Sequence, residues 1–413
     1  MKRIFGVLTL LLCLQLTAAA TTQPKASTSI LFYGTQIDFQ YDSALVFDYE
    51  VCAKDRCLKR FYRQMEKLDY QSLLDQFEAY RKQYELTDWL YFKLIRQTME
   101  QIYGQVETSK KEMLYTTGSW FFMSKAGYNT RLSNAALKFL FLYVQSDENL
   151  DNIPRIFAER KRFYNLTTFY LKLQAQRAVF RVNNFDPDQV SRSFVFGLKK
   201  LPKLPPQLSE KSMVFKNGEE EYQLQLQLDR TPTEVMAHYP GMRPMDYLEV
   251  PISETLEASL VPQLRTFLQG KTQKESLEIL LSFTRTSFTY KWDWNLYDSD
   301  RPMIADELFF NEFSDHEDRC ALFYHLVKEL LDLPMIVISH FNHDLTIAVA
   351  LDEVIGDPID YKGLTFTVCD PTTPNNSGRL GIYPNGLRHK AAEVIGEYQV
   401  PIQDNSSSSI YEE

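Results

Sequence analysis

Four residues in the last third of the chain belong to types that carry out chemistry: His316, Cys320, His343 and Asp370. Cysteine can act as a nucleophile, histidine as a base, and aspartate as the group that orients the histidine. Two histidines and an aspartate are also a donor set for a metal ion such as Zn²⁺, and His340 adds a histidine three residues before His343. Which chemistry is available depends on the elements that position these side chains.

A helix is predicted to begin at Ser314 and to end before Pro334. Ser314 and Glu317 have the spacing of a capping box, and proline is typical just after a helix end. Apolar residues then recur three and four positions apart, starting at Cys320, which predicts one buried face. His316 lies one turn before Cys320 on that face, so both should point toward whatever the helix covers.

Three strands are predicted after this helix, in the segments MIVIS, HDLTIAVAL and GLTFTVCDPT. His343 leads the apolar face of the second strand. Asp370 ends one face of the third strand, whereas Cys369 points to the opposite face. We expect the helix to cover the Asp370 face, so Cys320 and Cys369 should not form a disulfide. We also expect His316, His343 and Asp370 to lie around one cleft.

These residues resemble the transglutaminase-like superfamily, which has a papain-like fold. That family places a cysteine at the start of a core helix in the context C-x-D-x-[AS]-x-L. A histidine follows at the head of one strand, and an aspartate at the end of the next, commonly within D-P-T. The resemblance covers about residues 252–390, and the matching residues are Asp318, Leu322, His343 and Asp370-Pro371-Thr372.

The helix start departs from the family at its nucleophile. Exported bacterial relatives read roughly G-D-C-E-D-R-S there, whereas residues 314–320 read S-D-H-E-D-R-C. His316 therefore occupies the cysteine's position, and an imidazole lacks the nucleophilicity of a thiolate. Cys320 lies one turn deeper, about 6 Å along the helix axis, where a small buried core residue is expected. The resemblance implies a catalytically degenerate protein that acts in binding or envelope assembly.

Two alternatives remain open for the same residues. One is a thiol peptidase, amidase or acyltransferase that uses Cys320, His343 and Asp370. The other is a metal-dependent hydrolase that uses His316, His343 and Asp370. The favoured interpretation implies a protein or peptide partner and no cofactor.

The pattern of the whole chain predicts an α+β fold. Residues 28–50 alternate like strands, residues 58–125 have helical periodicity, and Asn217-Gly218 indicates a hairpin. Helices are predicted over residues 253–269 and 273–284. The predicted organisation is a signal peptide (1–20), an N-terminal mixed α/β domain (21–175), a β-rich domain (176–251), a transglutaminase-like domain (252–402) and a disordered tail (403–413).

A weak internal similarity accompanies this organisation. The segments WFFMSKAGYNTRL and LKFLFLYV repeat the order helix, turn and strand that begins at Cys320. A degenerate duplication would explain the similarity, but we favour an unrelated α/β arrangement at this point.

The first residues predict export to the periplasm or the extracellular space. Lys2 and Arg3 precede an apolar run that is too short to span a bilayer, and Ala18-Ala19-Ala20 fits a signal-peptidase site, with cleavage near Ala20. Leu12 before Cys13 argues against a lipid anchor. No later segment predicts a membrane helix, and a net charge of −9 without a basic stripe argues against a nucleic-acid partner.

Four cysteines remain after removal of this signal, too few for a disulfide scaffold in so long a chain. Cys52 and Cys57 are five residues apart, a spacing that fits a local bridge and chance proximity equally well.

Overall fold

The fold is described from a computed structural model of the chain. Both helices and strands are well represented, so the predicted α+β class is confirmed. The structure describes residues 25–47, 52–106, 110–135, 137, 139–150, 153–168, 180–183, 192–291, 302–340, 345–371, 380–383 and 392–400. The predicted signal peptide, the predicted disordered tail and His343 lie outside these residues.

The first half begins with a hairpin and continues with four helices and a sheet. The hairpin strands β1 and β2 alternate between exposed and buried side chains, as their sequence predicts. The bounds are β1 Lys25–Phe32, β2 Thr35–Asp42, α1 Asp55–Met65, α2 Gln71–Gln83, α3 Asp88–Gly104, α4 Lys111–Lys125, β3 Thr130–Ala135, β4 Phe139–Gln145, β5 Arg155–Ala158, β6 Lys161–Asn165 and β7 Phe180–Val182.

Strands β3 to β7 form an antiparallel sheet in the order β5-β6-β4-β3-β7. Helix α4 packs on β3 and β4, and α2 and α3 pack on the hairpin. Helix α3 buries nearly its whole surface, because it lies between the hairpin and α4. Within this sheet, β4 was predicted as a strand, and β7 falls in the predicted β-rich segment 176–251.

The second half repeats the sequence of hairpin, helices and sheet. The prolines between residues 199 and 207 leave that stretch irregular, and the next strand begins at Leu208. The bounds are β8 Leu208–Asn217, β9 Glu220–Asp229, α5 Thr231–Met236, α6 Pro244–Glu249, α7 Glu254–Phe267, α8 Gln273–Thr286, β10 Thr289–Tyr290, β11 Phe313–Ser314, α9 His316–Leu330, β12 Met335–His340, β13 Leu345–Ala350, β14 Pro358–Tyr361, β15 Leu364–Cys369 and β16 Ala392–Tyr398.

Strands β12 to β16 form an antiparallel sheet in the order β14-β15-β13-β12-β16. Helix α9 covers one face of it, and α8 packs on α9. The predicted hairpin at Asn217-Gly218 is present, and its strands pack on α7 and α8. The predicted β-rich segment 176–251 is therefore divided between the two halves. Its hairpin shares the core of the predicted domain 252–402, whereas Phe194, Val235 and Met236 lie in the core of the first half. The segment also contains α5 and α6.

Cys52 and Cys57 form a disulfide, with their Cα atoms 5.8 Å apart. The local bridge is thus the alternative that the structure supports. Among the described residues, no helix combines the length and apolar character needed to cross a membrane.

Candidate functional site

The start of α9 is capped by Asp315. Its carboxylate accepts hydrogen bonds from the backbone amides of Glu317 and Asp318, and the Asp318 carboxylate accepts one from the Asp315 amide. The prediction of a cap at Ser314 was therefore wrong by one residue. Ser314 instead belongs to β11, where its hydroxyl accepts a hydrogen bond from Nε of Arg319.

His316 is the first residue of α9 and is half-buried. Its Nδ1 lies 2.6 Å from the hydroxyl of Tyr290, and the two rings meet edge to face. The guanidinium of Arg319 lies over the Tyr290 ring, 5.1 Å from the ring centroid. The imidazole is therefore held in place by an aromatic hydroxyl whose own ring is fixed by a buried cation.

Cys320 is fully buried, with no exposed surface. Its thiol donates a hydrogen bond to the backbone carbonyl of Leu345, with 3.5 Å between sulfur and oxygen. Burial raises the pKa of the Cys320 thiol well above its ordinary value, and the negative charges of Asp370 and Glu317 raise it further. The thiol therefore stays protonated at neutral pH, which argues against the use of Cys320 as a nucleophile.

Asp370 follows directly after β15 and is only 7% exposed. Its backbone carbonyl accepts two hydrogen bonds from Arg285 of α8, one of them from Nε at 2.7 Å. The charge of Asp370 opposes the lowering of the pKa of both Arg285 and Arg319 that burial causes. Its carboxylate is thus within electrostatic reach of both arginines and of Cys320.

Arg319 ties the start of α9 to the segment before it. Besides Ser314, its guanidinium donates to the backbone carbonyls of Arg285 and Phe288. All these groups are buried, and they connect α8, α9 and the end of β15. Two buried arginines therefore fix the three chain segments around the candidate site.

The predicted facing of β15 was wrong. Cys369 lies on the α9 side, in the same hydrophobic core as Cys320 and Ile347, whereas Phe366 packs with Ala348 on the opposite face of the sheet. The reason is register, because β15 pairs Cys369 with Ile347 of the helix-facing side. Asp370 lies beyond the last strand residue, so strand alternation does not determine where its carboxylate points.

The predicted absence of a Cys320–Cys369 disulfide is confirmed, since both cysteines are free and buried. Burial raises the pKa of Cys369 to about 12. The outcome was right although the facing argument behind it was wrong.

The sequence-predicted site residues come together in part. His316 and Cys320 are one turn apart on α9, and Cys320 contacts the first residue of β13. Asp370 directly follows β15, which is the antiparallel neighbour of β13. His343 precedes β13 but lies outside the described residues, so its separation from His316 stays a prediction. No metal-binding group of three or more His, Cys, Asp or Glu side chains occurs within the part of the chain that the structure describes.

Three residues of this arrangement were not predicted as functional: Tyr290, Arg285 and Arg319. Arg319 had been noted only as a motif position. Arg285 lies just past the helix predicted over residues 273–284, and Tyr290 lies between that helix and the one predicted from Ser314. A signal was available, because a charged residue among apolar helical positions requires a buried partner. The partners are backbone carbonyls from distant segments, which sequence spacing does not reveal.

The chain matches no protein-family model, no curated protein and no solved structure.

Proposed function

We propose that the second half of the chain is a transglutaminase-like module that has lost its nucleophile, in an exported protein that acts through binding or envelope assembly. The observation that carries the proposal is the state of Cys320. Its thiol is fully buried and bonded to a backbone carbonyl, and four carboxylates raise its pKa. The helix start, where a nucleophile would gain reactivity from the helix dipole, carries His316.

The arrangement of elements supports the family part of this proposal. The beginning of β13 lies beside the end of β15, and the first turns of α9 contact the beginning of β13 through Cys320. A cysteine, a histidine and an aspartate at these three points would form a papain-like triad. The present chain keeps Asp370 at its point, and the sequence puts His343 just before β13.

The partner we propose is a protein or peptide. A module that keeps a rigid cleft without a nucleophile can still recognise a chain segment, because recognition requires shape and hydrogen bonds and no thiolate. The rigid part here is the pair of buried arginines that holds α8, α9 and β15 together. Periplasmic or extracellular localisation remains part of the proposal and rests on the sequence of residues 1–20.

Thiol labelling tests the proposal. In the mature protein, iodoacetamide should label Cys320 at neutral pH at least about 100-fold more slowly than in the unfolded chain, because a buried protonated thiol reacts only after local opening. Peptide mapping separates Cys320 from Cys369, which serves as a second buried thiol. No thiol-dependent hydrolysis or acyl transfer should be detected.

The double variant His316→Cys, Cys320→Ser is the matched comparison. It moves the thiol by one turn to the capped, half-buried helix start, and we expect fast labelling that responds to His343→Ala. Rapid labelling of Cys320 in the unmodified protein, abolished by His343→Ala, would instead establish the thiol-enzyme alternative. The metal-hydrolase alternative would require a bound metal ion in purified protein that is lost in His316→Ala.

A further inference from the structure

The two five-stranded sheets have the same strand order. If the strands of each sheet are numbered one to five along the chain, both sheets read three, four, two, one, five from edge to edge. Every neighbouring pair in both sheets is antiparallel. Two of the four neighbouring pairs join strands that are not consecutive in the chain, so this order is not the simple meander that short connections favour.

The pairing registers also agree residue by residue. Between the first two strands, Thr130–Val144 corresponds to Met335–Val349, with both residues 205 positions later. In the pair that joins the first strand to the fifth, Ser133–Val182 corresponds to Ile338–Val394. The turns between the third and fourth strands agree as well. Both central residues have positive φ, at 51° and 62° in Glu159-Arg160 and at 47° and 79° in Lys362-Gly363, as the tight hairpin turns of this kind require.

The helices before the sheets correspond in the same way. Helices α4 and α9 have 15 residues each, and four residues separate each of them from the first strand of its sheet. Further upstream, Thr87 and Thr272 cap α3 and α8. The side chain of each threonine accepts a hydrogen bond from the backbone amide of the residue three positions later. In each half, the first hairpin strand packs on the helix with this threonine cap, and the second hairpin strand packs on the helix before it.

We propose that the chain arose by tandem duplication of one unit, consisting of a hairpin, a helix pair, a sheet-covering helix and a five-stranded sheet. Strand order, register, turn geometry and helix caps are separate properties, and a common ancestor explains their joint agreement. The sequence alone favoured an unrelated arrangement because few residue identities remain between the copies. Registers and caps persist since they depend on backbone geometry more than on particular side chains.

The first copy lacks the site of the second. The shifts that align the two copies place Lys111, Tyr115 and Thr167 at the positions of His316, Cys320 and Asp370. Between α3 and α4, the buried Arg96 forms ion pairs with Glu100 and Glu112. None of these residues is a cysteine, a histidine or an aspartate, so the first copy does not repeat the proposed triad positions.

One insertion distinguishes the second copy. Residues 287–315 connect α8 to α9, whereas only residues 105–110 connect α3 to α4. Its described part supplies Tyr290, which binds His316, and the amide of Met303, which donates to Asp318. We infer that this insertion builds the site at the start of α9; this part of the inference rests on the proposed function, whereas the duplication does not.

Cysteine pairs in the full-length mature protein test the duplication. Ser133→Cys with Val182→Cys and Ile338→Cys with Val394→Cys join register partners, and strand partners lie within disulfide range. Mild oxidation followed by peptide mapping should find both bridges. The pairs Asn134→Cys with Val182→Cys and Ser339→Cys with Val394→Cys should cross-link at least about tenfold less, because a shift of one residue turns a side chain to the other face.

A bridge in one copy but not in its counterpart would overturn the duplication. A crystal structure of the unmodified mature chain provides a readout that does not depend on the folding of variants. The two sheets should superimpose with the residue shifts given above, and a different strand order in either sheet would overturn the inference.

The role of the insertion has its own test. Lys111→Cys and His316→Cys (the latter with Cys320→Ser) place a thiol at the first residue of corresponding, half-buried helix starts. His316→Cys should react with iodoacetamide at least about tenfold faster at neutral pH, because only that helix start has the insertion's Tyr290 hydroxyl to donate to a thiolate and the guanidinium of Arg319 nearby. Equal rates would refute the role of the insertion and leave the duplication and the inertness of native Cys320 unaffected.

Discussion

The positions of His316 and Cys320, one helical turn apart at the start of α9, differ in their surroundings. The half-buried His316 has the helix amides beside it, whereas Cys320 has a carbonyl acceptor and apolar neighbours. The field of a helix end falls off within its first turn. Burial and nearby carboxylates therefore dominate at Cys320, and both raise its pKa.

Burial shifts the pKa values of two other groups of the second half in opposite directions. Burial lowers the pKa of His325 to about 4, and its Nε2 has no hydrogen-bond partner. Burial raises the pKa of Asp306 to about 6, against hydrogen bonds from Ser253 that lower it. His325 contributes stability above pH 6.5 that is lost as the pH falls toward 4, whereas Asp306 contributes stability below pH 3.8 that is lost as the pH rises through 6.

These opposite signs predict how two substitutions change the pH dependence of unfolding. His325→Asn removes the acid-sensitive group, so its free energy of unfolding relative to the wild type should rise by roughly 2–3 kcal/mol between pH 7 and pH 4. Asp306→Asn should show the opposite trend over the same interval. Urea unfolding at closely spaced pH values measures both differences, and parallel profiles of the two variants would contradict the assignment.

At the scale of the element, α9 depends on one carboxylate at its cap. Asp315→Ala removes the acceptor for two backbone amides and should lower the free energy of unfolding by about 1–2 kcal/mol at pH 7. Asp315→Asn keeps a capping oxygen and should retain most of that stability. Hydrogen exchange of the Asp318 amide should accelerate only in the alanine variant; similar exchange in both variants would mean that another group caps the helix.

A pair of glycines joins residues 380–383 to the sheet edge. Gly381 has φ of +78°. Its amide donates a hydrogen bond to the backbone carbonyl of Val368, and its carbonyl accepts one from the backbone amide of Asp357. A Cβ on Gly381 would collide with the backbone of Ile355, and one on Gly356 would collide with Gly381. This backbone contact leaves no space for a side chain.

Gly381→Ala should therefore destabilise the protein by roughly 3 kcal/mol or more. Gly270→Ala is the matched control, because Gly270 has φ of +73° and open space around its Cβ position. That control should cost about 1 kcal/mol, which is the conformational penalty alone. Thermal or urea unfolding compares the two variants, and equal losses would show that the backbone contact at Gly381 relaxes easily.

The elements that the sequence predicted well are those whose signal is local. The hairpin turn at Asn217-Gly218 and the periodicity of α7 and α8 depend on neighbouring residues, and these elements appear at or close to their predicted positions. The cap was misassigned to Ser314 because the neighbouring Asp315 accepts the helix amides instead. The face of β15 was reversed because it is determined by pairing with β13. The missed arginines depended on carbonyls from distant segments. Such non-local contacts leave no periodic pattern in a single sequence.

At the scale of the whole molecule, each half has its own large hydrophobic core. The first core contains the side chains of β1 to β4 and α1 to α4, and the second contains those of β8, β9 and α7 to α9. Helix α5 crosses this division, because Val235 and Met236 are buried in the first core although they follow the second hairpin. The two halves are therefore joined by packing as well as by the chain.

Tyr239, which follows α5, contacts the first half directly. Its hydroxyl donates to Thr87 at the start of α3, and its ring packs on Trp89, whose Nε1 donates to the carbonyl of His238. Tyr239→Ala should remove these contacts and leave a cavity that costs roughly 3–5 kcal/mol. Because most of the loss falls on the first core, the cooperativity between the halves should weaken.

Urea unfolding of a Trp292→Phe, Trp294→Phe background tests this coupling, since the two remaining tryptophans, Trp89 and Trp120, both belong to helices of the first half. With Tyr239 present, tryptophan fluorescence and far-ultraviolet circular dichroism should give coincident transitions, because the packing of α5 links the two cores. With Tyr239→Ala, the fluorescence transition should move to lower urea and precede the remaining loss of secondary structure. Coincident transitions in the variant would mean that α5 does not couple the halves, and separate transitions in the background protein would mean that they unfold independently from the outset.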